Sequence, residues 1–434
     1  MSDRLYETEI KRRPPKTWPQ TIHALLYVVV FNFGCIMVNA FQFICLLPLK
    51  LLPFPQAHRL YDEGIRYSKG AFGTLLVLMC QLFGPTTLLI SFETEGVGAL
   101  SQEDVERIAV RDKAGRVVGL QLPQKAVVIA NHQIYADWWY AWCLTYFMGT
   151  HTDVFIVLKK SLKWVPVIGW VRPSSSTTPS SVSTLSDFCQ GMQFYDFIFL
   201  SRSWAADRLH LATSLSRLGQ RAEKQDTPLT FILYPEGTLV SKDTRPVSKK
   251  YADKMGLPDM RNMLLPRSTG LHYSLRSLAP RIPSLQLIDI TVAYPGVPRA
   301  GYGQSYYTLR SIFMDRVPPP QVHMHIRCFD VGKEVPIGDL SASDPSKLPN
   351  GSARDPTVET DIPQSEKDRF DEWLLALWNA KDANMDRFLE TGSLAKDLST
   401  RVAVPVAMRQ KREALDAFCF FIPALVGWMF SKLK

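Results

Sequence analysis

The chain lacks the signatures that several common enzyme classes require. Its seven cysteines are odd in number and contain no CxxC pair, so they read as buried or cytosolic thiols and not as a disulfide framework. No GxSxG elbow supplies a serine nucleophile, and no GxxxxGK(S/T) loop supplies a nucleotide-hydrolysing phosphate cradle. Zinc-finger spacing and basic-aromatic RNA motifs are missing, so nucleic acid is not an indicated partner. His323-Met324-His325 is half a metal site at best, because no Cys or carboxylate cluster accompanies it; no metal is expected. There is no internal repeat. Charged residues reach only 21% against 46% hydrophobic, which excludes a largely disordered chain.

What is present begins with size and charge. A length of 434 residues corresponds to roughly two or three domain-sized units. The 50 Lys and Arg against 41 Asp and Glu leave a net charge of +9, which suits an anionic membrane face or a phosphorylated substrate.

Two long apolar stretches lie near the N-terminus. Ala24–Leu49 and Ala71–Phe92 contain no Lys, Arg, Asp or Glu, and each exceeds the ~20 residues that a spanning helix needs. After a polar leader (1–23) they predict a membrane helical hairpin over 24–92; two buried core helices are the alternative. A third apolar segment, Ala417–Phe430, is uncharged but would rise only about 21 Å as a helix, short of the ~30 Å hydrocarbon core. The last residues, 417–434, therefore read as an interfacial or re-entrant membrane anchor.

The pattern between these segments differs. Short apolar runs at Ala126–Ala130, Asp153–Leu158, Phe197–Leu200, Leu229–Tyr234, Leu285–Ala293 and Gln321–Phe329 read as strands. Helical stretches such as Trp138–Met148 and Ala205–Lys224 alternate with them. The fold class is α/β, a central mixed sheet covered by helices, over residues 93–336. A polar loop (337–365) and a C-terminal helical segment (366–416) follow. In the latter, Phe370–Thr391 reads as a helix with Gly392 as its C-cap.

Chemistry-bearing residues gather at strand ends. Ala126–Ala130 runs into Asn131-His132 and, five residues after the histidine, Asp137. Five residues at about 100° each put His132 and Asp137 some 140° apart on an ideal helix. For the two to meet, His132 must sit on the turn before the helix, with Asp137 reaching back. A carboxylate on one imidazole nitrogen fixes the tautomer and leaves the other as a base. An N-capping Asn131 with a surface histidine is the plainer reading. Free backbone N–H groups at such a helix start also suit an anion. Leu229–Tyr234 runs into Pro235-Glu236-Gly237-Thr238, at the strand end where α/β folds place ligands. Arg202 ends the IFLSR run and suits bidentate phosphate binding, and Leu264-Leu265-Pro266-Arg267 follows later.

These four blocks, in this order, resemble the glycerophospholipid acyltransferase family, which includes the 1-acylglycerol-3-phosphate acyltransferases. The resemblance runs from about Ala24 to Gly392 and includes Trp378 and Lys381-Asp382. It implies catalytic roles for His132 and Asp137, and substrate contacts at Asn131, Arg202, Glu236, Gly237, Thr238, Pro266 and Arg267. It implies no cofactor, with acyl-CoA as co-substrate, a lysophospholipid as acceptor and the lipid bilayer as partner. Endoplasmic reticulum membrane, with the catalytic domain on the cytosolic side, is the expected location. The family's third motif often continues with arginine, where Leu239 stands here. YPEGTLVSKDTR with LLPRSTGL looks most like the lysophosphatidylinositol, lysophosphatidylglycerol and lysocardiolipin remodelling branch, with Lys242 and Arg245 as further positive charge. Lysophosphatidic acid as acceptor, CoA-independent transacylation and a silent membrane-binding protein are the rival readings.

Residues 171–190 interrupt this pattern. Seven of the 20 are serine and three threonine, so the segment cannot bury enough apolar surface to order itself. It reads either as a tolerated loop insertion or as a retained 60-nucleotide intron, since its ends can be encoded with splice-site-like codons.

Overall fold

The computed structural model describes residues 4–159, 194–195, 197–200, 204–340 and 362–419. The 171–190 insertion, Arg202, most of the polar loop and nearly all of the C-terminal apolar segment lie outside the described residues.

An eight-stranded mixed sheet forms the centre. Its strands are β1 (Thr87–Phe92), β4 (Lys125–Ala130), β5 (Val154–Lys159), β6 (Ile198–Leu200), β7 (Leu229–Leu233), β8 (Gln286–Ala293), β9 (Gln321–Asp330) and β10 (Val402–Pro405), in the order β10-β1-β9-β8-β4-β7-β5-β6. The half from β8 to β6 is parallel, β9 runs antiparallel to β8, and β1 lies parallel to β9. A separate antiparallel pair, β2 (Ala109–Arg111) and β3 (Val117–Leu120), stands outside the sheet.

Both faces of the sheet are covered, which is why its central strands read as continuous apolar runs. Along β4 the alternation of side chains divides the core. Ala126, Val128 and Ala130 join the layer of α1 (Trp18–Phe41), α2 (Pro55–Phe83) and α3 (Asp137–Met148). Val127 and Ile129 join the opposite layer, made by α4 (Trp204–Gln225), α6 (Ser268–Leu278) and α7 (Gln364–Thr391). Between these last elements, α5 (Thr244–Met255) follows β7.

The second predicted membrane span is corrected by this arrangement. Residues 71–92 are not one helix. α2 ends at Phe83, Gly84 caps it, and Thr87–Phe92 is β1, hydrogen-bonded between β9 and β10. Within α2, every residue from Ser68 to Cys80 is buried in the protein. A helix apolar on all sides suits a protein core as well as a bilayer, and here packing decides. Glycine admits the close approaches: a Cβ on Gly73 would stand 2.8 Å from Trp142 Nε1, and one on Gly34 2.7 Å from Leu75.

α1 behaves differently. It continues through a π turn at Gln42–Leu46 to Leu51 and is long and apolar enough to cross a membrane. Tyr27, Phe31 and Val38 face the body. Trp18, Ile22, Leu25, Val29 and Ile36 form an outer stripe with more than half of each side chain exposed.

Candidate active site

β4 delivers Asn131 and His132 into a tight turn, and Asp137 is the first residue of α3. The turn brings the two side chains together. His132 Nδ1 lies 2.7 Å from Asp137 Oδ2. An ionised carboxylate only accepts, so the bonded Nδ1 carries the proton and Nε2 holds the lone pair. Nε2 has no partner among the described residues, and the imidazole is partly open to solvent.

Asp137 is buried and anchored from several directions. The backbone N–H groups of Gln133 and Ile134 donate to Oδ2 at 2.6 and 3.0 Å, and the Tyr294 hydroxyl donates to Oδ1 at 2.5 Å. These two turn amides are engaged internally, and the helix-start N–H groups of Asp137 and Trp139 donate to Ile134 O (3.2 Å) and Ala136 O (3.0 Å), which corrects the expectation that such groups stand free for an anion. Tyr294, at the end of β8, is fully enclosed beside this carboxylate, and burial raises its phenol well above the ordinary range. The Tyr234 ring packs beside His132 at a ring distance of 4.7 Å, tilted by 31°.

The remaining expected residues divide by direction. Asn131 is completely buried: its amide donates to Val292 O at 2.9 Å and accepts from Val292 N at 2.7 Å, clipping the turn to β8. Glu236 also faces inward, where it receives His132 N–H on one oxygen (3.3 Å) and Leu264 N–H on the other (3.4 Å). Burial pushes its carboxyl up to about 8, against the opposing pull of these amides and of Lys381. All four polar atoms of Asn131 and Glu236 thus meet backbone groups, so both side chains hold the turn and its neighbouring loops in place. Gly237, Thr238, Pro266 and Arg267 lie on the outer side of the same loop pair. Gly237 adopts a positive φ of 69°, and a Cβ there would touch the Arg267 side chain at 3.8 Å. Arg267 is exposed, and its guanidinium has no acceptor among the described residues. Arg245, by contrast, donates to the carbonyls of Met260, Arg261 and Met263 and so fixes that loop. Lys242 is exposed nearby in sequence.

α7 contributes a brace that motif reasoning did not assign to the site. Asp382 accepts the backbone N–H groups of Arg261 (2.8 Å) and Asn262 (2.7 Å), and Asn262 O accepts Gln133 Nε2 at 3.1 Å. Lys381, fully buried, pairs with Asp289 and donates to Ile290 O at 2.8 Å. The burial of this ammonium lowers its pKa, and Asp289 opposes that effect. Their signal was an adjacent Lys-Asp on the apolar side of a predicted helix, where charges are rare unless paired.

A carboxylate-oriented imidazole, set on a strand-to-helix turn near the exposed Gly237 and Arg267 and the half-buried Thr238, is equipped to deprotonate a hydroxyl. The protein is an acyltransferase: the family model described as Acyltransferase matches residues 115–294. More particularly, the chain belongs to the glycerophospholipid acyltransferase family. It is 32% identical over 399 residues to the 2-acyl-1-lysophosphatidylinositol acyltransferase of Saccharomyces cerevisiae, covering 85% of this chain and 86% of that protein. An uncharacterized acyltransferase of Schizosaccharomyces pombe is 30% identical, with 86% and 88% covered. Lysocardiolipin acyltransferase 1 of Danio rerio is 27% identical over 62% of this chain and 53% of its own length. No solved structure matches.

Proposed function

We propose that the protein transfers a fatty acyl group from acyl-CoA to the free hydroxyl of a lysophospholipid bearing a headgroup, of the lysophosphatidylinositol type. The observation that carries this reading is the 2.7 Å contact between His132 Nδ1 and Asp137, which leaves Nε2 as an available base. Imidazole, with a reference pKa of about 6.5, is matched to general-base work near neutrality. Nε2 takes the proton of the acceptor hydroxyl as its oxygen attacks the thioester carbonyl. The tetrahedral oxyanion then collapses, the C–S bond breaks, and the CoA thiolate leaves and takes up the proton held by the imidazolium. Arg267, exposed, and Thr238, half-buried, lie on the adjoining loops without side-chain partners among the described residues and are available to the substrate. The two amides on Asp137 are not available as oxyanion donors.

The acceptor assignment is supported by the yeast relative and by the apolar Leu239, buried where the third motif often carries arginine. The outer stripe of α1 supports bilayer association, with the body at the cytosolic face of the endoplasmic reticulum. In the test, purified protein receives labelled acyl-CoA and a panel of lysolipid headgroups, with His132→Ala as control. Lysophosphatidylinositol should be acylated faster than lysophosphatidic acid, and the control should be inactive. A clear preference for lysophosphatidic acid overturns the acceptor assignment. Transfer from a diacyl lipid without acyl-CoA overturns the donor assignment.

A further inference from the structure

A cavity of about 320 Å³ adjoins the His132 turn. Gln133, which follows the base in sequence, and Tyr294, which holds Asp137, both line it, so the cavity and the dyad share a wall. Arg245, Arg261 and Arg299 also line it, and no Asp or Glu does among the described residues. They come from three separate segments: α5, the loop before α6 and the loop after β8.

The three guanidiniums are not equivalent. Arg245 is engaged with loop carbonyls. Arg261 and Arg299 are held from outside the lining by Asp386, at 3.2 and 2.9 Å, and Arg299 also by Glu390 at 3.2 Å. A guanidinium carries five N–H donors; these contacts occupy one on Arg261 and two on Arg299. The same carboxylates offset part of the positive charge, which weakens the site for a bare anion. A group that brings both a phosphate and hydroxyls is better matched. Phosphate oxygens accept from the arginines, while hydroxyls exchange hydrogen bonds with Asn262 and Tyr302 on the wall.

From this arrangement we infer that the cavity binds a phosphorylated polyol portion of a substrate, either the lysolipid headgroup or the phosphoribose of CoA. The inference rests on the proposed acyl transfer for its substrates, and the experiment separates the two. Arg261 and Arg299 have side chains 75% and 52% exposed, so their alanine variants keep the fold.

Kinetics of Arg261→Ala and Arg299→Ala should show KM raised about tenfold or more for one substrate, with kcat within a few-fold of wild type. A rise confined to lysophosphatidylinositol identifies the headgroup, and a rise confined to acyl-CoA identifies the phosphoribose. In parallel, glycerophosphoinositol and CoA are titrated by calorimetry into the His132→Ala protein, which needs no turnover. One of them should bind, and Arg299→Ala should remove that binding. If neither KM moves and neither probe loses affinity, the cavity assignment is overturned even where acyl transfer is intact. If no lysolipid is acylated but a probe binds and Arg299→Ala abolishes it, the proposed reaction fails and the cavity assignment stands.

Discussion

Replacing Asp137 by asparagine changes one charge and almost no volume. The N–H groups of Gln133 and Ile134 both point at the Oδ2 position, which therefore selects the amide oxygen of the introduced side chain over its NH2. That oxygen still accepts from His132 Nδ1, so the tautomer survives. The amide NH2 faces Tyr294, whose hydroxyl turns from donor to acceptor. The enclosed Tyr294 O–H loses its acceptor in this exchange, so the fold should weaken by about 1–3 kcal/mol. What disappears is the negative charge 2.7 Å from an imidazole that becomes cationic in the transition state. At an effective dielectric constant of about 20 that attraction has a ceiling of about 6 kcal/mol. Relaxation of the surrounding groups reduces it, and a loss of about 4 kcal/mol corresponds to a ~10³-fold fall in kcat. The assay pairs single-turnover transfer from labelled acyl-CoA with a thermal melt of the same sample. An Asp137→Asn protein that is folded at the assay temperature yet keeps more than about a tenth of the wild-type kcat refutes electrostatic support of a base at His132.

Two further outcomes follow from buried and exposed groups. Because Glu236 rises from 4.5 to about 8 on folding, its contribution to stability is fully present below pH 4.5 and is lost as pH rises through 8. Wild-type stability should thus fall between these limits by at most about 1.4 kcal/mol per pH unit, and Glu236→Gln should flatten the slope; equal slopes in thermal melts at pH 5.5 and 7.5 would contradict the burial argument. On α1, Leu25→Glu with Val29→Glu should shift the protein from the membrane to the supernatant fraction without loss of fold, each acid costing about 2.5–3.5 kcal/mol in hydrocarbon. Retention of the double variant in the membrane pellet would remove the bilayer role of that stripe.

The sequence pattern was most informative where a single local rule governs. The strands predicted at 126–130, 229–234 and 285–293 differ from β4, β7 and β8 by one residue at the ends, because covered parallel strands leave unbroken apolar runs. Gly392 ends α7 with a φ of 75° and donates to Phe388 O, as a C-cap glycine should. The helix itself begins six residues before the predicted start, at Gln364, where the sequence is polar and exposed. β1 was concealed inside an apolar stretch whose first half is helical, since hydrophobicity alone does not separate helix from strand. Most of the site's support was also concealed. Tyr294 meets Asp137 across 157 positions and Asp382 meets Asn262 across 120, and no local spacing encodes such pairs.

The order of strands has a consequence for how the enzyme comes into being. β1 is among the earliest parts of the body to be synthesised, yet its two neighbours, β9 and β10, arrive roughly 230 and 310 residues later. Lys381, which ties α7 to β8, and Asp382, which braces the loop before α6, also emerge late. At about 5–20 residues per second, the interval from the end of α1 to Lys381 is roughly 17–70 s. Through that interval the apolar stripe of α1 is already made while β1 still has open edges. With the bilayer association proposed for α1, attachment would precede competence. A chain that stops short of α7 carries the whole 115–294 segment without its brace.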